Sequence, residues 1–409
     1  MNITIQPALL NGNMIPPPSK SQAHRAVIAA ALAGGVSTLG HMAYSQDIAA
    51  TLGCMTAMGA GVERTGETEV RIHGLGHVVP PCTRRPICFD CGESGSTLRF
   101  LIPVALAVVG GGRFTGRGRL MERPQQPYFD LFAQKGIFCE QADGVLTVQG
   151  TLKPGEYELP GNVSSQFITG LLYALPLLEG DSEIVLTTPL ESEGYVDMTL
   201  EVLTAFGIAV RREKNTFVIP GGQRYQSRDT DIECDWSQAA FWYAARTLGS
   251  NVDVLGMNEA SRQGDKCIAE QCELFARGGD VTLDVSQCPD LVPALAAVAA
   301  VRRGTTRIVN AARLRIKESD RLTAVTDVLN KLGADVTEQP DGLTIAGREA
   351  LTGGVEADSH NDHRIAMMAA VAATRCEQPV TVLNAHCVAK SYPNFWEDYE
   401  ELGGKIMRS

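Results

Sequence analysis

A helix-like segment that closes on glycine and runs into a strand recurs six times along the chain. The copies read "LGCMTAMGAGVE", "FDLFAQKGIFCE", "LEVLTAFGIAVR", "QCELFARGGDVT", "VTDVLNKLGADV" and "WEDYEELGGKIM". Their glycines, Gly59, Gly136, Gly207, Gly278, Gly333 and Gly403, are spaced by 77, 71, 71, 55 and 70 residues. Glycine belongs at a helix C-terminus because the chain turns there through a left-handed conformation that a Cβ resists. Ahead of each copy lies a far more apolar segment: "AVIAAALAG", "FLIPVALAVV", "ITGLLYALPLL", "AAFWYAARTL", "LVPALAAVAAV" and "IAMMAAVAAT". A helix with no polar face must be buried, which places the amphipathic helices and the sheets outside it.

The pattern predicts an α/β (α+β) chain of six units, each with one buried helix, one exposed helix and a small sheet. Six units divide naturally into two lobes of three. The polar stretch "QSRDTDIE" (226–233) between the third and fourth is the expected boundary, giving lobes of 15–230 and of 1–14 plus 231–409. Hairpins are expected in "IFCEQADGVLTVQG" and "ADVTEQPDGLTIAG", each with an Asp-Gly turn.

A solenoid scaffold would satisfy the repeat alone. The polar residues argue otherwise. The buried helices begin with "SKSQAHR", "GESGSTLR", "NVSSQF", "CDWSQ", "CPD" and "NDHR", and the amphipathic ones are preceded by "YSQD", "RLMERP", "ESEGY", "RIKESDR" and "AKSYP". Helix N-termini present unpaired N–H groups and a positive dipole end, which suits an anion. Loading them with Lys, Arg and Asp is costly unless a ligand is there to meet the charges. The expectation is one cleft, fed by both lobes, for a ligand with several negative charges.

The overall charge of −11 across 409 residues argues against a broad nucleic-acid surface, while a local cation cluster can still dominate a cleft. No run of about 18 apolar residues suggests a membrane span. The start "MNITIQPALL" lacks a signal-peptide pattern, and eleven scattered cysteines fit reduced thiols, so a cytoplasmic protein is expected. Cys88 and Cys91 form the one C-x-x-C, without a second pair at zinc spacing, and are expected to be incidental.

In order along the chain, "SKSQAHR", "CGESGSTLR", "MERP", "VSSQF", "CPD", "RIKESDRL", "NDHRIAM" and "AKSYP" resemble the motifs of the 5-enolpyruvylshikimate-3-phosphate synthase family, from Ser19 to Pro393. The resemblance implies a two-lobed inside-out α/β barrel of six βαβαββ-type units, with the first dozen or so residues crossing to the second lobe. It implies transfer of the enolpyruvyl group of phosphoenolpyruvate to the 5-hydroxyl of shikimate 3-phosphate, by addition and elimination. No cofactor or metal is implied, and the family is usually monomeric.

By the same resemblance Lys20 lies between the substrates. Ser21, Arg25, Ser164, Ser165, Gln166, Ser192, Tyr195, Asp290, Arg313 and Lys317 face shikimate 3-phosphate. Gly95, Arg123, Gln166, Arg321, Arg364 and Lys390 face phosphoenolpyruvate. Asp290 and Glu318 are the candidates, with Lys20, for proton transfer. Each has a structural alternative. Ser164 and Ser165 are natural helix caps; Glu318 and Arg321, three apart, could pair on a solvated helix start; Arg99 could be a core-edge ion pair; His24 and His363 could be structural. Arg313 and Glu93 stand where asparagine is common in the family, and Glu93 would weaken anion binding unless it turns away or pairs with an arginine. The sister family acting on UDP-N-acetylglucosamine uses a cysteine in a stretch that here reads "GRGRLMERPQQPYF" and contains none.

Overall fold

The structure is a computed structural model that describes residues 1–76 and 86–409. Among them are twelve α-helices, which alternate in character. They are α1 (Lys20–Leu32), α2 (Gln46–Met58), α3 (Gly95–Val109), α4 (Gln126–Gln134), α5 (Ser165–Ala174), α6 (Glu193–Ala205), α7 (Trp236–Thr247), α8 (Ile268–Ala276), α9 (Val292–Ala300), α10 (Arg321–Lys331), α11 (His363–Ala373) and α12 (Phe395–Glu401). The odd-numbered helices hold the apolar segments and are buried nearly all round; every residue of α9 and α11 is buried. The even-numbered helices bury one stripe. All six repeat glycines have positive φ, between 67° and 117°, at or just beyond the ends of the even-numbered helices.

The chain divides into two compact units, Met1–Ser19 with Cys234–Ser409, and Lys20–Glu233. In the second of these, Thr230–Asp231 pairs in parallel with Val36–Gly40, closing a four-stranded sheet around the first repeat. In the first, the strand Ile3–Gln6 lies between Val380–Leu383 and Lys405–Arg408, antiparallel to both, and Asn11–Met14 runs parallel to Asn251–Val254. The chain's first strands thus complete sheets that begin more than two hundred residues later.

Among the described residues, five sheets have four strands and one has two. The two-stranded sheet belongs to the repeat of α7 and α8, where the chain passes from α8 directly into Val281–Asp284 of the following sheet. The missing hairpin accounts for the one short spacing, 55 residues, between repeat glycines. Of the two expected Asp-Gly turns, Asp143–Gly144 forms one, with φ of 50° and 73°. The other does not: the turn is Pro340–Asp341, and Gly342 is already in the strand. Glycine is needed there because a Cβ would strike the Ile308 carbonyl across the sheet.

Helices α3 and α5 pack so closely that a Cβ at Gly170 would meet the Tyr128 hydroxyl and come within 2.5 Å of the Arg99 carbonyl. Gly53, exposed in the middle of α2, has nothing within 4 Å of a built Cβ. Gly170→Ala should therefore cost about 1–3 kcal/mol through overpacking, and Gly53→Ala should gain about 0.4–1 kcal/mol through the unfolded state. Thermal melts of the two variants should move in opposite directions. A Gly170→Ala protein melting at or above the parent would refute the packing described.

Candidate active site

In the unit Lys20–Glu233 the candidate residues sit on or just before the starts of α1, α3, α4, α5 and α6. Lys20, the first residue of α1, donates to Asp47 Oδ2 at 2.8 Å; Asp47 stands in the first turn of α2, capped by Ser45. Arg25, five residues on, is 2% exposed. Its Nε donates to Thr199 Oγ1 (2.9 Å), Nη1 to the Ser21 carbonyl (2.7 Å) and Nη2 to the Tyr195 carbonyl (2.9 Å). The guanidinium lies over the Phe100 and Tyr195 rings. Burial pushes its pKa down to about 10 against the opposing pull of Tyr173 and Tyr195, so it remains a cation at neutral pH. None of these partners is a carboxylate. Among the described residues such a cation is desolvated without a counter-charge, which favours an incoming anion.

Ser164 caps α5, its Oγ accepting from Gln166 N at 3.3 Å, and Ser165 is buried beside it. The Gln166 side chain is fixed at both ends, with Oε1 accepting from Arg99 Nη1 (2.9 Å) and Nε2 donating to Ser96 Oγ (3.0 Å). Arg99 is itself 2% exposed, donates also to the Pro124 carbonyl at 3.0 Å, and rests over the Phe167 ring. In these contacts Arg99 orients Gln166. Ser192 is buried with φ 55°, immediately before α6, and Tyr195 follows on that helix.

Gly95 opens α3. A Cβ built there would lie 2.7–3.0 Å from the Arg123 guanidinium atoms, so glycine is what lets Arg123 lie across the helix start. Glu93 packs its carboxylate over Gly118, and a Cβ at Gly118 would meet Glu93 Oε2 at 2.6 Å. The same carboxylate lines a cavity of about 600 Å³ with Arg117 and Asp90, which are joined by a 3.0 Å ion pair.

In the unit Met1–Ser19 with Cys234–Ser409, Asp290, Lys317, Glu318 and Arg364 are joined in a network around Arg321, the first residue of α10. Arg321 is 1% exposed. Its Nε donates to Asp362 Oδ2 (2.8 Å), Nη1 to Asp290 Oδ1 (2.8 Å), and Nη2 to Glu318 Oε2 (2.6 Å) and Asp362 Oδ1 (3.4 Å). Four of the five guanidinium N–H groups are thus turned on carboxylates. The Glu318–Arg321 pair exists, but on a buried arginine rather than a solvated helix start. Asp362 also caps α11, accepting from Arg364 N at 3.0 Å, and takes a hydrogen bond from Ser319 Oγ at 3.0 Å.

Asp290, in the turn before α9, is reached from three sides. Arg364 donates to its carbonyl (3.1 Å) and to Oδ2 (3.3 Å), and Lys317 stands 3.3 Å from Oδ1. Burial alone would raise its carboxyl pKa, but Arg364, Lys317 and Arg321 together hold it well below the ordinary range. Burial is likewise overcome at Asp362 by Arg321 and His363, so its pKa is lowered. The Lys317 ammonium is lowered by burial, with Asp290 opposing and Arg321 assisting. Arg313 reaches the Ser286 carbonyl at 2.6 Å, and Lys390 donates to the Asn361 carbonyl at 2.6 Å. Both His360 and Asn361 are left-handed (φ 51° and 53°), which turns that carbonyl toward Lys390.

Three participants were not singled out from the sequence: Asp47, Asp362 and Asp265. The first two lie inside quoted helix starts, "YSQD" and "NDHR", where an acidic first-turn residue or cap is the signal. Asp265 lies in no such motif. It is 2% exposed, accepts from the Ser237 hydroxyl, and its pKa is pushed up to about 6 by burial and then by Asp290, with Arg364 opposing.

The geometry is that of a protein with fixed cations and ionised carboxylates at its helix starts, an arrangement suited to small polyanions. The comparisons make this specific. The family model of EPSP synthase (3-phosphoshikimate 1-carboxyvinyltransferase) matches residues 5–399. The chain is 45% identical to the 3-phosphoshikimate 1-carboxyvinyltransferase of Clostridium beijerinckii, over 98% of each chain, and 46% identical to that of Clostridium novyi, over 99% of this chain and 98% of the relative. The solved EPSP synthase of Acinetobacter baumannii superposes with a TM-score of 0.80 over the whole of both chains, at 26% identity. The chain belongs to the EPSP synthase family.

Asp265 supplies a pH test. Below its unfolded pKa of about 4 the carboxyl is protonated in both states. Between there and about 6 the folded protein keeps a proton that the unfolded chain releases, so stability falls as pH rises. Above that the loss is constant. Asp265→Asn should gain on the parent by about 2–3 kcal/mol between pH 4 and pH 7. Denaturation of both proteins across that range measures it, and a difference independent of pH would contradict the assignment.

Proposed function

We propose that the chain moves the carboxyvinyl group of phosphoenolpyruvate to the 5-hydroxyl of shikimate 3-phosphate, releasing phosphate. The observation that carries this most is Arg25: a buried guanidinium hydrogen-bonded to neutral oxygens, at the start of a buried helix beside Ser21 and Tyr195. The phosphate of shikimate 3-phosphate supplies the missing counter-charge, with Ser164, Ser165, Gln166 and Ser192 donating around it; Lys317 and Arg313 are further contacts to shikimate 3-phosphate by the family resemblance. Phosphoenolpyruvate lies at the start of α3, where Arg123 crosses Gly95; Arg364 and Lys390 are its further cations by the family resemblance.

The chemistry needs a proton delivered to the methylene carbon of phosphoenolpyruvate and one removed from the attacking hydroxyl. Collapse of the tetrahedral adduct then returns a methylene proton and expels phosphate. Asp290, held ionised by Arg364, Lys317 and Arg321, is suited to accept the hydroxyl proton. Glu318, held by Arg321 at 2.6 Å and 18% exposed, is the candidate for proton transfer at the methylene. Lys20, paired with Asp47, stands between the substrates and steadies the departing phosphate. Arg321 acts chiefly by ordering these carboxylates, with one N–H left for the donor anion. The sequence's expectation of a cytoplasmic monomer working without a cofactor is part of this proposal.

Phosphate release from phosphoenolpyruvate should require shikimate 3-phosphate; release with UDP-N-acetylglucosamine instead would assign the chain to the sister activity. Arg25→Met should raise KM for shikimate 3-phosphate by about 10–150-fold, the worth of one or two charge-assisted hydrogen bonds. Unchanged KM would remove Arg25 from that role. Glu318→Gln should lower kcat by about 100-fold or more with little change in either KM, and a parallel rise in both KM values would count against a proton-transfer role.

A further inference from the structure

Behind the starts of α1 and α3 runs a line of four buried side chains. His24 on α1 is fully buried, and its Nδ1 lies 2.7 Å from Thr51 Oγ1 on α2. Thr51 Oγ1 lies 2.7 Å from Thr97 Oγ1 on α3. Thr97 Oγ1 donates, again at 2.7 Å, to the Oγ of Ser94, the residue that caps α3. All four are 1% exposed or less.

Each hydroxyl carries one proton, and this fixes the direction of the line. Thr97 directs its proton to Ser94, so the 2.7 Å contact between Thr51 and Thr97 is held by the proton of Thr51, for which the Asp47 carbonyl at 3.4 Å is the poorer acceptor. Thr51 then has none to give His24, and the 2.7 Å contact there requires a hydrogen on Nδ1. Ser94 Oγ receives two hydrogen bonds, from Thr97 Oγ1 and from Thr97 N at 3.1 Å. Its own proton has no acceptor among the described residues. The ring is neutral, since burial, with Lys20 and Arg25 adding to it, holds its pKa well below 6.5. Its Nε2 has no hydrogen-bond partner among the described residues, which suits a bare lone pair better than an orphaned N–H.

We propose that His24 is a positioning residue: as the Nδ1–H tautomer it aligns Thr51 and Thr97 so that the Ser94 hydroxyl donates out of the start of α3 to the anion of phosphoenolpyruvate. This rests on the reading that Gly95 and Arg123 mark the phosphoenolpyruvate side. His24 acts through three other side chains and touches no substrate. Its effect falls on one substrate and not on the other, because the line ends at α3 and makes no hydrogen bond to Arg25.

Three substitutions test the direction of the line. His24→Asn keeps an N–H donor near the position of Nδ1, His24→Gln displaces it, and His24→Leu removes it. The Leu and Gln variants should raise KM for phosphoenolpyruvate by about five- to tenfold, the effect of one misdirected hydrogen bond. KM for shikimate 3-phosphate should stay within about twofold in every variant, and Asn should restore most of the loss. Thr97→Val should match Leu. Unchanged KM values, a parallel rise for both substrates, or an Asn variant no better than Leu would overturn the proposal. If the unaltered protein releases no phosphate, the substrate reading fails separately. Long-range 15N–1H spectra of the unaltered protein still judge the line: a proton on Nδ1 of His24 supports it, and one on Nε2 refutes it.

Discussion

The Arg321 guanidinium, buried and bonded to Asp290, Glu318 and Asp362, holds together the part of the chain on which the chemistry is proposed to depend. Its three partners come from different places: the turn before α9, the segment before α10 and the cap of α11. One side chain therefore fixes the relative placement of three helix starts. Buried ion networks of this kind are weak evidence for stability, because desolvation offsets their attraction, and stronger evidence for a single required arrangement. Here the arrangement keeps Asp290 and Asp362 ionised despite burial.

The unit Lys20–Glu233 solves a different problem with the same kind of element. Arg25 is surrounded by carbonyl and hydroxyl oxygens and by aromatic rings. The Arg321 network is rich in carboxylates, whereas Arg25 keeps a cation without a charged partner. A reaction that moves protons between two polyanions needs both, and the six-fold repeat supplies one type of scaffold for each. The all-apolar helices matter here because a helix start can be held rigidly only if the rest of the helix is locked in a close-packed core.

Much of this was legible in the sequence. The six glycines, the six apolar segments and the polar helix starts between them were enough to give the repeat and the helix starts that carry the candidate residues, because helix ends and burial are local consequences of composition. The resemblance of eight ordered motifs supplied the residue roles. What the sequence did not show was pairing. Nothing in "GESGSTLR" says that Arg99 turns inward to hold Gln166, or that Gly95 makes room for Arg123. Asp265 carries no local signal at all, since its raised pKa comes from burial and from Asp290, 25 residues away in the chain. The second Asp-Gly pair misled for the same reason: Gly342 answers to Ile308 in a neighbouring strand, not to the turn beside it.

The central claim is that cations hold Asp290 ionised inside the protein, and the most direct measurement is its own titration. Carboxyl 13C NMR of the aspartates, assigned with Asp290→Asn and Asp265→Asn, would follow each group through acid. Asp290 should remain ionised to well below pH 3.8 while Asp265 takes up its proton near pH 6. An Asp290 that titrates at or above the ordinary carboxylate range would show that burial outweighs Arg321, Arg364 and Lys317, and would contradict the account.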